Sequence, residues 1–321
     1  MLLPVIAVFV GLALLAWSAD RFVVGASATA RSLGMPPLLV GLTIVGFGTS
    51  APEMLVSAVA AAQGRAALSV GNAIGSNITN IGMVLGAAAL IAPMTVRSGI
   101  VRRELPALLL TMLFGLSLSV DGDLTVGDGA ALAAALALMI FWIVGTGLRE
   151  RRDPLGGEVG AGAGVPLSRG LVWVAIGLSV LLVSSRLLVW GAVNVAEALG
   201  VSDLVIGLSV VAIGTSLPEL AASVSSAARG EHDIAIGNVI GSNMFNLLAV
   251  MAMPALFAPG ALAPGVLSRD YPVMIAMTAA LIVMAYGFRG RGGCINRAEG
   301  GALVGIYGIY LVALYRGGLS A

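Results

Sequence analysis

The sequence predicts an all-α polytopic membrane protein whose ten transmembrane helices form two inverted five-helix repeats. Two observations carry that prediction. Hydrophobic residues make up 59% of the 321 positions and charged residues 10%, with a mean hydropathy of +1.03, whereas a soluble domain carries about 25% charged residues. In addition, the block Gly41–Asn80 returns without a gap 166 residues later as Gly207–Asn246, and 19 of the 40 paired positions are identical.

A span needs about 20 apolar residues to cross the hydrocarbon. Segments of that kind lie near 2–19, 37–62, 69–92, 104–120, 126–147, 170–190, 204–228, 234–258, 271–288 and 299–316. The first apolar run, ending near Ser18, has no basic lead and no small-residue cleavage site. It therefore reads as a span and not as a removed signal. The longest polar stretch, Arg149–Arg169, is Gly-rich and charged and falls between the fifth and sixth spans, which makes it a linker. The expected division is a first five-helix repeat over 1–148, a linker over 149–169 and a second repeat over 170–321. Outside the duplicated block the register persists: Gly25 and Ala26 pair with Gly191 and Ala192, and Leu33–Gly34 with Leu199–Gly200. Five spans per half is an odd number, so the second half enters the membrane from the opposite side, a plan used by secondary transporters.

Every basic residue is an Arg. With the N-terminus outside, thirteen of the 17 fall on the inner side, and Arg65, Arg186, Arg269 and Arg316 on the outer side. The positive-inside rule then predicts a multi-pass protein of the inner (plasma) membrane with both termini outside and a cytoplasmic linker. Seventeen basic against 16 acidic residues give no reason to expect a nucleic-acid partner, and the single cysteine, Cys294, excludes an intrachain disulfide or a Cys-based metal cluster.

Each copy of the block places a glutamate, Glu53 or Glu219, inside a long apolar segment. A carboxylate at the bilayer centre costs at least about 2.5 kcal/mol unless it meets a partner or water, and no Arg in either block lies at comparable depth. A bound cation or a proton would neutralise it. Inverted halves let the second and seventh spans cross near the midplane, so that the two glutamates face one another. Pro52 and Pro218 precede them and lack an N–H, which frees a carbonyl one turn earlier and bends the helix. Those carbonyls, with the hydroxyls of Thr49, Ser50, Thr215 and Ser216, are hard oxygen donors of the kind calcium takes, about 6–8 at a time. The stretches GNAIGSNITN and GNVIGSNMFN add Ser76, Asn77 and Asn80, with Ser242, Asn243 and Asn246. Ser76 and Asn80, like Ser242 and Asn246, are four residues apart and share a helix face. With no Cys or His in the blocks, an all-oxygen site is expected in place of a zinc-type one. Two carboxylates balance one divalent ion or two or more monovalent ions.

GTSAPE (Gly48–Glu53), GTSLPE (Gly214–Glu219) and the two GSNxxN stretches resemble the α-repeats of the sodium/calcium exchanger family, in the cation/calcium antiporter superfamily, and the resemblance covers the whole ten-span plan. It implies that Glu53 and Glu219 are central carboxylates shared by Ca2+ and Na+. Thr49 and Thr215 would supply backbone carbonyls, and Ser50, Ser76, Asn80, Ser216, Ser242 and Asn246 would complete the cation sites. Gly46 and Ala212, three residues before the threonines, would be further carbonyl donors. The resemblance further implies that the first and sixth spans slide against a core of the second, third, seventh and eighth. Potassium-moving relatives carry Asp where this chain has Asn246, so potassium independence is expected. The linker is too short to hold a large calcium-sensing domain.

The expected function is thus a secondary antiporter, not an enzyme, that exchanges Na+ for Ca2+ across the lipid bilayer, with no cofactor and no obligate protein partner. An H+-coupled exchanger of Ca2+ or another divalent ion is the alternative, since buried glutamates also carry protons. A metalloprotease would need HExxH, which the single His232 cannot supply; a facing Asp pair for an aspartyl protease is missing from the spans; a passive channel stays open. Elsewhere the plainer readings prevail. Gly71 with Gly75, and Gly237 with Gly241, suit helix packing. His232 reads as solvated, Asp121, Asp123 and Asp128 as a turn-forming loop, Asp20 as a helix-end residue, and Arg102, Arg103 and Glu104 as an interfacial anchor.

Overall fold

The computed structural model describes residues 2–97, 99–150, 165–198, 212–286 and 293–319. Helix α1 (Leu2–Leu33) runs past the expected end of the first span, because nothing breaks it before Gly34, whose φ of 62° only a glycine adopts readily. Asp20 is therefore a mid-helix residue and not a helix end, and it is ion-paired with Arg229. The second span is α2 (Pro37–Thr49) and α3 (Ala51–Ala62), bent by 43° at their junction. Pro52 sits in the first turn of α3, so the carbonyl of Gly48 lacks the i+4 N–H that a continuous helix would offer. Then come α4 (Ala66–Ile91), α5 (Leu105–Ser119) and α6 (Val126–Glu150).

The second half follows with α7 (Leu167–Ala198), α8 (Ala212–Thr215), α9 (Leu217–Ala228), α10 (His232–Phe257), α11 (Val266–Tyr286) and α12 (Arg297–Leu319). Seven helices among the described residues are long and apolar enough to cross a membrane, eight with the bent pair. The expected linker 149–169 lies outside the described residues over 151–164, and the expected seventh span over 204–211.

Two short ribbons depart from a purely helical plan. β1 (Met94–Val96) pairs antiparallel with β4 (Gly293–Ile295), and β2 (Asp123–Leu124) with β3 (Gly260–Ala261). Each ribbon takes one strand from either half of the chain.

Contacts recur in pairs that exchange under a shift of 166. Gly11 packs on Leu188 and Gly177 on Phe22; Gly25 packs on Gly170 and Val174, and Gly191 on Pro4 and Val8. In each case a Cβ on the glycine would lie 2.7–3.0 Å from a neighbouring atom, which is how small residues let α1 and α7 approach along an antiparallel seam. π-helical turns repeat likewise, at Asn80–Leu85 and Asn246–Val250, and at Ile100–Glu104 and Val266–Asp270.

Burial sorts the helices into layers. Within α4 and α10, 72% and 89% of the most apolar window is buried, against 22–28% for α1, α6, α7 and α12, so the repeated block forms the centre. At one end of the molecule charges tie α1 to the α9–α10 connection. Ser27 Oγ donates to Glu231 Oε1 at 2.7 Å, Arg31 pairs with the same oxygen at 3.3 Å, and Arg97 pairs with Asp233 at 3.1 Å. His232, expected to be solvated, has its Nδ1 facing the Thr95 backbone N–H at 3.3 Å and the Thr95 hydroxyl at 2.9 Å. The Asp121–Asp128 loop is the turn expected: Asp121 accepts the Asp123 N–H, and Asp128 Oδ2 accepts the Thr125 N–H and hydroxyl.

The β1–β4 register sets Thr95 opposite Cys294, at a spacing of about 4.5–5.5 Å between Cα atoms, which a disulfide spans. A Thr95→Cys variant should cross-link to Cys294 under mild oxidation. Cleavage at a protease site placed in 151–164 should then release two halves only after reduction; separation without reductant would contradict the ribbon.

Candidate cation site

The two breaks in the bundle are built alike. Ser50 (φ −81°, ψ 1°) and Ser216 (φ −90°, ψ 7°) leave the helical region, each followed by a Leu or Ala, a Pro and a Glu in the first turn of the next helix. Glu53 and Glu219 thus sit at the N-termini of α3 and α9, 1% and 0% exposed. A helix N-terminus favours a carboxylate by about 0.3–1 kcal/mol, far less than the several kcal/mol that burying an ion costs. The helix ends alone do not hold these groups.

Hydrogen bonds across the halves bring the predicted residues together. Ser50 Oγ donates to Glu219 Oε1 at 3.1 Å. Thr49 Oγ1 lies 3.1 Å from Asn238 Oδ1 and 3.5 Å from Ser242 Oγ, and Ser242 Oγ donates to the Gly46 carbonyl at 3.3 Å. Asn80 Nδ2 donates to Asn243 Oδ1 at 3.0 Å. Asn80 and Asn246 each open a π-helical stretch, a distortion that concentrates at functional sites.

What remains is a set of buried oxygens with no hydrogen-bond partner among the described residues: both of Glu53, Oε2 of Glu219, Oδ1 of Asn80 and of Asn246, and Oγ of Ser216. Native proteins bond nearly all such atoms, and leaving a buried acceptor unmade costs about 1–3 kcal/mol, more when it is charged. Buried carboxylate, amide and hydroxyl oxygens of this kind are donors suited to a hard cation. Among the described residues no three His, Cys, Asp or Glu gather into a group that could hold a metal ion. A cargo ion must leave as well as bind.

Ser76 and Thr215 are placed on the wall of a cavity of about 370 Å3, together with Asn72, Gly75 and Thr79. Arg269, Asp270 and Tyr310 close another part of that wall, with the Tyr310 hydroxyl donating to Asp270 Oδ1 at 3.1 Å. Ala212 opens the four-residue α8. The glycine pairs split in role: a Cβ at Gly241 would lie 2.4 Å from the Leu42 carbonyl, whereas Gly71 and Gly75 meet nothing within 4 Å among the described residues and line the cavity.

Sequence reasoning passed over Asn72 and Asn238. Asn72 Nδ2 donates to the Glu53 carbonyl at 3.1 Å and to Ser57 Oγ at 2.9 Å; Asn238 Nδ2 donates to the Glu219 carbonyl at 3.2 Å and to Ser223 Oγ at 2.8 Å. The available signal was the Gly-Asn pair opening both GNxxGSN stretches.

A bundle of apolar helices closing on a buried, cation-ready oxygen cluster is the build of a membrane ion transporter. Comparison with known proteins narrows this. The model of the family described as sodium/calcium exchanger protein matches residues 3–145 and 169–316. CaxA of Alkalimonas amylolytica is 49% identical over 303 residues, 94% of this chain and 95% of that one. The inner membrane protein YrbG of Escherichia coli is 39% identical over 322 residues, 98% of both. A structure of the sodium-calcium exchanger NCX_Mj superposes with a TM-score of 0.84 at 33% identity, covering 98% of this chain and 99% of that one. The chain belongs to the sodium/calcium exchanger family.

Unpartnered buried carboxylates strain the cation-free protein, and neutral isosteres relieve them. Glu53→Gln and Glu219→Gln proteins should unfold in detergent with chelator at a higher temperature than wild type, by about 1–3 kcal/mol of stability. A lower melting temperature would mean that the carboxylates are already satisfied.

Proposed function

We propose that this protein is a secondary antiporter that exchanges Na+ for Ca2+ by alternating access, independently of K+. The observation that carries the reading is that Glu53 and Glu219, one from each half, keep buried oxygens without hydrogen-bond partners among the described residues, while Ser50 of the first half bonds to Glu219 of the second. Family membership supports it, as does the likeness to a sodium-calcium exchanger over nearly the whole chain. Two carboxylates balance one Ca2+ or two Na+, so the ions compete for the same charge and exchange follows. Glu53, Glu219, Ser50, Ser76, Asn80, Ser216, Ser242 and Asn246 are the proposed side-chain ligands. Thr49, Thr215, Gly46 and Ala212 are proposed to give backbone carbonyls.

The architecture we infer is ten spans in two inverted repeats, 1–148 and 170–321, joined by a cytoplasmic linker over 149–169, in the inner membrane with both termini outside. Supporting it are the glycine contacts that exchange under a shift of 166 and the ribbons that join one connection of each half. A chain that crosses once per segment puts the connections bearing β1 and β4 on the inner side and those bearing β2 and β3 on the outer side, so both pairings are allowed. In this scheme α1 and α7, paired along their length, slide against the buried α4 and α10. Coupling to H+ is the second reading, because unpartnered carboxylates also accept protons.

Na+-loaded vesicles holding the purified protein should take up Ca2+ when diluted into Na+-free buffer, whether or not K+ is present. Glu53→Gln and Glu219→Gln should each lower that uptake by at least about 100-fold, the scale of losing one essential transition-state contact. Uptake driven by a pH gradient without Na+ would select the H+ reading, and no uptake under either gradient would end both. Asn246→Asp, which adds a third carboxyl to the cluster, should change the competition between Na+ and Ca2+ and leave measurable exchange.

A further inference from the structure

We infer that Asn72 and Asn238 are positioning residues that fix the rotation of α3 and α9, and through it the two carboxylates; this rests on Glu53 and Glu219 being the cation ligands. In each half one amide NH2 spans two acceptors a single helical turn apart, the glutamate's own carbonyl and the serine four residues on. Residues i and i+4 lie on one helix face, so the two bonds act as a key against turning. The four distances agree between halves to within 0.1 Å, although α3 and α9 have different neighbours.

The leverage is geometric. A carboxylate at the rim of a helix stands about 5–6 Å from the axis, so a turn of roughly 10° moves it about 1 Å. A binding constellation tolerates an error of about 0.5 Å. The bond is made to the backbone of the ligand residue itself, which leaves the carboxylate oxygens free for the ion.

The second half has an additional connection. Asn238, fully buried, also lies 3.1 Å from Thr49 Oγ1 through its Oδ1. Thr49 belongs to α2 and Glu219 to α9, so one amide sets the position of ligand groups from both halves. In the first half Ser69 adds a neighbouring bond, its Oγ donating to the Ser57 carbonyl at 3.2 Å. That bond lies in the same α3–α4 interface yet touches no glutamate, which makes Ser69 the natural control.

The test is Ca2+ titration calorimetry of the purified full-length protein in Na+-free detergent buffer, paired with Na+-gradient uptake in vesicles. Asn72→Ala and Asn238→Ala should raise the Ca2+ dissociation constant by about tenfold or more. Uptake at saturating Ca2+, per folded protein, should stay within about threefold, while Ser69→Ala should leave the dissociation constant within about twofold. Should an alanine variant fail to fold, Ser57→Ala and Ser223→Ala remove one of the two bonds and should shift the constant in the same direction by about two- to fivefold. An unchanged dissociation constant with a lowered melting temperature would reduce the amides to packing and overturn the inference. Failure of the wild type to bind Ca2+ at all would instead overturn the assignment of the site.

Discussion

Two buried carboxylates, one in each half, with most of their oxygens unmet by hydrogen-bond donors among the described residues, set the terms for the rest of the molecule. Their desolvation costs several kcal/mol each, and no salt bridge among the described residues reaches them. On the proposed function, a bound ion returns the lost energy. The neutral amides and hydroxyls near Glu53 and Glu219 then complement a cation that comes and goes. A resident metal would draw on more charge or on softer ligands.

Holding the pair in place takes a bundle that is rigid at its centre and broken at chosen points. The break at Ser50 and its counterpart at Ser216 present hydroxyls and helix N-termini to the cluster, and Pro52 and Pro218 enforce them. Helices α4 and α10, the most buried of the apolar helices, carry the asparagines that grip the far side of α3 and α9. The outer helices α1 and α7 approach closely at glycines, with the Trp17–Trp173 ring pair packed across the same seam. The charged ties of the α9–α10 connection, Arg31 to Glu231 and Arg229 to Asp20, link that outer pair to the core at one end.

Much of this was legible in the chain. The duplicated block and the prolines before each glutamate placed the breaks at Ser50 and Ser216, because a proline in an apolar run is a strong signal. The ribbons were not legible: strands of two or three residues have no periodicity to read, and their pairing is between distant loops. Asp20 was misread because a charged residue interrupts hydropathy without interrupting a helix. The exposed contact of His232 with Thr95 was not legible either, because nothing local announces a partner 137 residues away. Asn72 and Asn238 were overlooked because Gly-Asn in an apolar helix reads as close packing, and their target is a backbone carbonyl, which leaves no trace in side-chain chemistry. Ala212 was named through the resemblance alone, and only its place at the start of α8 is described.

The most direct measurement is a crystal structure of the protein soaked with Sr2+, a heavier analogue of Ca2+, with the ion located by anomalous scattering. The account predicts one principal peak between the carboxyl groups of Glu53 and Glu219, each contributing an oxygen at about 2.3–2.6 Å, the range of calcium coordination. A peak bound by only one half of the chain, or carboxyl groups turned away from each other toward lipid, would contradict it.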